Sequence, residues 1–317
     1  MNLREIVLSA LLCAEYSVSG AELAADCGVS RSAVWKVMEQ LRAEGCEIES
    51  VPHRGYRLVS HPDLFCESYL KQAVRDCRTD WQFRHFKELD STNNLAKALA
   101  ARNAPSGTVV IADRQTAGKG RTGKSFYSPA GNLYFSVIEK LMLPISDMMS
   151  VTACTAAAVF LALEQFGITT QIKWVNDLFL NQKKICGILS EGSFNAELLS
   201  MDYLVIGIGI NLRHDADCPE ELQSIITDLE TETGKRINKY DLLIEILKQL
   251  EILLDEIPTH SYLDIYTKNS CTLRHTVRTD DGTQGIAIGF TEDAGLIIEL
   301  ADGTERILRT GSATVID

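Results

Sequence analysis

RQTAGKGRTGKSFYSP, residues 114–129, holds three glycines (Gly118, Gly120, Gly123) among four basic side chains (Arg114, Lys119, Arg121, Lys124). No apolar residue lies between Ala117 and Phe126. Such a segment forms neither a core helix nor a buried strand. It reads as a flexible, positively charged loop in a chain whose net charge is -12. Glycine-rich backbone N–H groups flanked by cations can enclose an anion. The loop is not a Walker loop, because the G-x-x-x-x-G-K-[ST] spacing is absent. Taken alone, it also fits a mobile surface loop.

The flanks of the loop alternate between short apolar strands and amphipathic helices. Helices are expected at about 66–77, 91–102, 146–166, 219–231 and 238–257, and strands at about 81–88, 108–113, 131–139, 170–174, 177–181, 184–193 and 201–211. Short turns such as NQKK between neighbouring strands imply a mixed, partly antiparallel sheet. Residues 66–257 thus form a central α+β domain.

Residues 1–62 differ. A helix at about 20–26, a GVS turn and a helix at about 31–44 form a helix-turn-helix, with Ser19 and Ser30 as N-caps, Gly28 in the turn and Gly45 closing the second helix. CEIESVPHRGYRLVS then supplies two strands around an HRG tip, which makes a winged helix. Ser30, Arg31, Ser32 and Lys36 cluster where a recognition helix touches DNA, and His53, Arg54 and Arg57 decorate the wing. The segment is not basic overall, and two helices joined by a glycine turn also occur in domains that never touch DNA. Residues 268–317 alternate in hydropathy between DDG, EDAG and ADG turns, the pattern of a small all-β barrel.

Composition narrows the class. Apolar residues make up 45% of the 317, enough for a sizeable core. No run of about 18 apolar residues suggests a membrane span. The nine cysteines include no C-x-x-C pair, which argues against a disulfide framework or zinc site and suits a reducing cytoplasm. Acidity leaves any DNA contact local.

Three further segments carry polar side chains where chemistry is possible. KWVNDLFLNQKKICGILSEG (173–192) places Asn176 and Asp177 between two strands and Lys184 at the start of the next. LDSTNN (89–94) carries Ser91, Thr92 and Asn93, either as helix caps or facing a ligand. VIGIGINL (205–212) alternates Gly207 and Gly209 on a buried strand and ends near Asn211. Glycine there marks close approach of a ligand or another backbone.

In order, ELDSTNNLAK, DRQTAGKGRTGKSFYSPAGNLYFSV, KWVNDLFLNQKKICGILSE and VIGIGINL resemble the four signature segments of biotin protein ligases. With the N-terminal winged helix, the chain resembles the bifunctional form, ligase and biotin operon repressor in one, over essentially its whole length. Three positions depart from the family pattern: Lys119 stands for Arg, Val175 for Pro and Phe126 for Trp. The resemblance implies an α/β multidomain protein: a winged helix, a central ligase domain with a mixed sheet, and a C-terminal SH3-like β-barrel. It implies that biotin attacks the α-phosphate of ATP, with Mg²⁺, giving biotinyl-5′-AMP. A lysine of a biotin carboxyl carrier protein then takes the biotinyl group.

On this reading the loop Gly118–Lys124, with Gly120, folds over the phosphates, and Lys119 and Arg121 offset charge building on phosphorus. Lys184 bridges the biotin carboxylate and the α-phosphate. Asp177 orients or deprotonates the incoming lysine, which titrates near 10.4 when free. Asn176 places phosphate or metal. Ser91, Thr92, Asn93 and Gln115 hydrogen-bond the ureido ring. Gly187, Ile188, Leu189, Gly207, Gly209 and Asn211 complete the substrate pocket. Biotinyl-5′-AMP also serves as corepressor for a homodimer on operator DNA. Two rivals remain: a biotin-sensing repressor without catalysis, and a lipoate or octanoate ligase, against which the polar Ser91–Asn93 segment and Gln115 speak.

Overall fold

The computed structural model describes residues 2–140, 148–195 and 200–317. The chain divides into two compact units, Met1–Asp76 and Cys77–Asp317. Among the described residues no helix is long and apolar enough to cross a membrane.

In the first unit, α1 (Leu3–Cys13), α2 (Gly20–Asp26) and α3 (Arg31–Ala43) precede the antiparallel pair β1 (Glu47–Val51) and β2 (Gly55–Ser60), and α4 (Glu67–Ala73) closes it. The expected caps are present. Ser19 Oγ accepts from Glu22 N at 3.3 Å and Ser30 Oγ from Ala33 N at 3.2 Å, satisfying amides that a helix start leaves unpaired. Gly28 and Gly45 both take left-handed φ, 62° and 98°. Val34, Val37, Met38 and Leu41 recur at helical spacing and turn one face of α3 onto Leu8, Leu11 and Leu23. Arg57, expected on the wing surface, is bound to Glu49 at 2.6 Å.

The second unit is built on a seven-stranded sheet. Its strands are β3 (Gln82–Phe86), β4 (Thr108–Ala112), β5 (Leu133–Glu139), β6 (Gln171–Lys173), β7 (Asp177–Leu180), β8 (Lys183–Asn195) and β9 (Ser200–Ile210). Their spatial order is β3-β4-β5-β9-β8-β7-β6, with only β3 and β4 parallel. The mixed sheet read from the sequence is therefore present. Helix α5 (Thr92–Ala100) packs Ala96 and Ala100 against Val110, Ile138 and Val205. The alanine-rich α6 (Met148–Gln165) lies against β8 and the later helix at Lys239–Asp255; the expected helix start at 146–147 falls outside the described residues. The helix expected over 219–231 is instead two short pieces, α7 (Glu220–Gln223) and α8 (Leu229–Thr233). The buried Asp228 separates them, because its carboxylate caps α8 by accepting from Thr231 N at 2.8 Å. Then α9 (Lys239–Asp255) is followed by α10 (Ser261–Lys268), which has no counterpart in the sequence reading.

Strands β10 (Thr276–Thr279), β11 (Gln284–Phe290), β12 (Leu296–Glu299), β13 (Glu305–Leu308) and β14 (Ala313–Val315) form an antiparallel sheet in the order β13-β12-β11-β10-β14. Among the described residues no ladder joins β13 to β14, so the expected barrel is found as an open five-stranded sheet.

At Gly55 φ is +104°, and an added Cβ would sit 2.0 Å from Val18 O. Gly55→Ala is expected to destabilise the first unit by about 2 kcal/mol or more, read from thermal unfolding. Glu139, only 7% exposed at the end of β5, has its carboxyl pushed up from 4.5 to about 7 by burial. A raised acid contributes fully to folding below its unfolded value and loses that contribution as pH rises through the folded one. Glu139→Gln should therefore raise stability at pH 8, by up to about 3 kcal/mol, and change it little at pH 4. Equal effects in melts at the two pH values would contradict this.

Candidate active site

The loop at residues 114–129 is a hydrogen-bonded hairpin rather than a free coil. Gly120 N donates to Lys124 O at 2.7 Å, Phe126 N to Gly118 O at 2.9 Å and Gln115 N to Ser128 O at 3.1 Å. Thr122 and Gly123 make its tip with left-handed φ. A cavity of about 490 Å³ lies beneath it. Its lining joins the loop to the start of α5, to β8 and β9, and to the 311–314 edge of the C-terminal sheet.

Of the residues singled out from sequence, Ser91, Thr92, Asn93, Gln115, Lys119, Gly120, Arg121, Asn176, Asp177, Lys184, Gly187, Ile188, Leu189, Gly207 and Gly209 all face this cavity. Gly118 and Asn211 do not line it. Gly118 lies behind the hairpin, where a Cβ would be 2.4 Å from Phe126 O. Asn211 is buried, donates to Thr227 O at 3.0 Å and borders a second cavity of about 330 Å³.

The polar wall is a closed network. Gln115 Oε1 accepts from Thr92 N at 2.8 Å and from Thr92 Oγ1 at 3.1 Å, so Gln115 caps α5 in place of Ser91. Buried Ser136 donates to Asn93 Oδ1 at 2.6 Å and lies 2.8 Å from Thr92 Oγ1. Asn93 Nδ2 donates to Leu189 O and to Glu191 Oε2, and Lys97 pairs with Glu191. Burial opposes ionisation of Glu191, but donation by Lys97 and Asn93 outweighs it and holds the carboxyl below its usual range. Both polar ends of Asn93 are thus committed inside the protein. Asn93 positions the wall, while the Ser91 hydroxyl makes no capping bond and remains toward the cavity.

The glycines make room for neighbouring side chains. A Cβ on Gly207 would lie 2.0 Å from Asn93 Oδ1, one on Gly209 2.5 Å from the Phe126 ring, and one on Gly187 2.8 Å from that ring and 3.1 Å from Lys184 Nζ. Phe126, noticed in the sequence only as a departure, is therefore a wall of the site.

Five cations, Lys119, Arg121, Lys124, Lys173 and Lys184, line the cavity against two carboxylates, Asp177 and Asp280. Lys184 Nζ stands 2.6 Å from Asp177 Oδ1 as an ion pair, and 5.7 Å from the centre of the Phe126 ring. Arg121 donates to Asn176 Oδ1 and to Gly311 O, both at 3.2 Å. Burial pulls its guanidinium below the usual value, and Asp177, Tyr266 and Asp280 pull it back. Lys119 Nζ donates to Asn94 Oδ1 at 2.6 Å. Asn176 Nδ2 donates to Ile188 O at 2.9 Å. The Trp174–Val175 peptide beside it is cis. From the C-terminal sheet, Ser312 donates N and Oγ to Asp280, which keeps that carboxyl below its usual range. Five cations over a narrow cavity suit an anion of high charge, and the apolar strand backbone beside them suits a compact apolar body.

The sequence model for the biotin/lipoate A/B protein ligase family matches residues 85–211, and one for an HTH domain matches residues 4–57. The chain is 35% identical over 300 residues to the bifunctional ligase/repressor BirA of Bacillus subtilis, covering 92% of this chain and 91% of the relative. The chain belongs to the biotin protein ligase family, among its bifunctional ligase/repressors. To the Escherichia coli BirA it is 26% identical, over 94% of this chain and 93% of that one. Among solved structures, a biotin protein ligase from Aquifex aeolicus in complex with biotin and ATP superposes with a TM-score of 0.62 at 29% identity, covering 74% of this chain and 98% of that one. The family match from residue 85 to 211 spans the whole polar wall and Lys184, and leaves the Asp280–Ser312 edge outside it.

Gly207→Ala is expected to displace Asn93 from between Ser136 and Glu191. Biotin binding should weaken by about tenfold or more, the scale of one buried polar group left unpaired, while the fold melts cooperatively. Titration calorimetry with biotin checks this.

Proposed function

We propose that the protein is an ATP-dependent biotin protein ligase that forms biotinyl-5′-AMP and passes the biotinyl group to a lysine of a biotin carboxyl carrier protein, and that it also represses transcription in response to biotin. The observation that supports it most is Lys184 at the junction of the cationic loop and the glycine-walled end of the cavity. There an ammonium can meet a carboxylate and an α-phosphate together.

The residues divide the work. Arg121, Lys119 and Lys124 receive the triphosphate under the hairpin. Ser91 and the free Gln115 amide hydrogen face the ureido ring, held in place by Thr92 and Asn93. Biotin's carboxylate oxygen bonds to the α-phosphorus as the bond to pyrophosphate breaks. The carrier lysine amine then bonds to the acyl carbon, AMP leaves, and the amine gives up a proton. Asp177, freed when Lys184 turns to the anions, orients that amine and accepts the proton. Asn176 fixes Arg121. Mg²⁺ offsets phosphate charge when bound. Among the described residues no three His, Cys, Asp or Glu side chains cluster to hold a metal; the carboxylates that line the cavity are Asp177 and Asp280.

In the winged helix, Ser30, Arg31, Ser32, Lys36 and Arg54 contact the operator, and a homodimer sets the spacing of its half-sites. The open five-stranded sheet is read as an SH3-like fold, and the division into residues 1–62, 66–257 and 268–317 as three domains. The protein acts in the cytoplasm.

ATP–pyrophosphate exchange tests the catalytic reading. Biotin should support it, and lipoate and octanoate should not. Exchange with an acyl acid but not with biotin would favour the rival ligase, and none with any acid would favour a sensor. Arg31→Ala should weaken operator binding and lower the salt slope by about 1 while leaving exchange unchanged. Equal loss of both would instead make the first unit part of the ligase.

A further inference from the structure

Helix α3 turns Val34, Val37, Met38 and Leu41 inward, and leaves Arg31, Ser32, Trp35, Lys36 and Glu39 exposed. Ser32, Trp35, Lys36 and Glu39 share one stripe, at helical spacings of three and four. Trp35 is 51% exposed. Its indole N–H has no hydrogen-bond partner among the described residues, and the core of the unit is complete without it.

A single exposed apolar residue is unremarkable by itself. Its surroundings say what it meets. Eight Lys and Arg residues lie in residues 1–76. Five are ion-paired: Arg4 with Glu44, Arg42 with Glu39, Arg57 with Glu49, Lys71 with Glu67 and Arg75 with Asp76. Among the described residues Arg31, Lys36 and Arg54 have no ion pair. Two of these three bracket Trp35 on α3. An apolar ring between uncommitted cations suits a polyanion that carries an apolar group, rather than a protein surface. In the DNA major groove the thymine C5-methyl is that group, and no other base edge offers one. Trp35 is the fifth residue of α3, within the N-terminal part of a recognition helix that reaches base edges.

We propose that Trp35 reads a thymine methyl in each operator half-site, while Arg31 and Lys36 hold the flanking phosphates. This rests on the repressor reading above and adds to it a base preference. Arg31 and Lys36 give affinity to any duplex; Trp35 makes it depend on sequence.

The test begins by selecting a preferred duplex from a randomised pool, with the full-length protein in biotin and ATP. Each thymine is then replaced in turn by uracil, which removes only the methyl. At one position per half-site uracil should weaken wild-type binding by about three- to fivefold, the scale of one buried methyl. Trp35→Ala should bind the thymine duplex about tenfold or more weakly, should ignore the uracil change there, and should keep the wild-type salt slope. Trp35→Phe should recover part of the methyl dependence. Pyrophosphate exchange and thermal melting of both variants should match wild type, since the residue touches neither core nor cavity. The proposal is overturned if every uracil change affects wild type and Trp35→Ala alike, or if Trp35→Ala weakens selected and random duplexes equally. It is also overturned if Trp35→Ala alters self-association with DNA binding intact. A wild-type protein with no sequence preference would overturn the repressor reading itself.

Discussion

Three missing Cβ atoms shape the site. Gly187 and Gly209 are direct partners across β8 and β9, and Gly207 pairs with Leu189 two residues along. Glycine weakens a strand, but here both strands sit inside a seven-stranded sheet that fixes their backbone on both sides. The space released is filled at once: Phe126 lies over Gly187 and Gly209, Lys184 approaches Gly187, and Asn93 lies over Gly207. The loop, the start of α5 and the lysine strand therefore converge on one patch of bare backbone. Any side chain there would push one of the three away. The side chains of Gln115, Thr92, Ser136, Asn93 and Glu191 are in turn held by one another, as a preorganised wall requires.

The sequence makes plain what depends on near neighbours. The caps Ser19 and Ser30, the turn glycines and the two faces of α3 follow from residues within one or two helical turns. The cavity-lining set was also legible, because the signature segments carry it. Contacts between distant segments were not. Thr92 and Asn93 look available for a ligand until Ser136, some 40 positions away, takes up Thr92 Oγ1 and Asn93 Oδ1. Ser136 itself left a trace, as the one serine inside the largely apolar run LYFSVIE. Asp280 and Ser312 left none, since turn residues between short strands look alike wherever they point. Helix α10 was missed because His260, in a left-handed conformation, precedes it without a capping side chain, and its buried Tyr262 and Tyr266 are too few for a clear period.

Electrostatically the cavity is prepared for a charge that the protein alone does not supply. Lys184 is ion-paired with Asp177 at 2.6 Å, although Asp177 Oδ1 is buried and accepts no hydrogen bond among the described residues, and Arg121 is held between Asn176 and Gly311 with Asp177 and Asp280 close enough to support its charge. On the proposed mechanism an entering triphosphate and carboxylate compete with Asp177 for the same ammonium; one ion pair replaces another, and Asp177 is released at the moment an amine needs a base. Fixed cations whose contacts tighten as negative charge gathers on phosphorus act mainly on the transition state.

The most direct test is the effect of Lys184→Ala on the two halves of the reaction. Biotin-dependent pyrophosphate exchange should fall by about two to three orders of magnitude, the range for losing one preorganised electrostatic contact, while biotin affinity drops only modestly. Preformed biotinyl-5′-AMP should restore part of the transfer. Exchange at the wild-type rate in Lys184→Ala would contradict the account, and would move the cation between the two anions to Arg121.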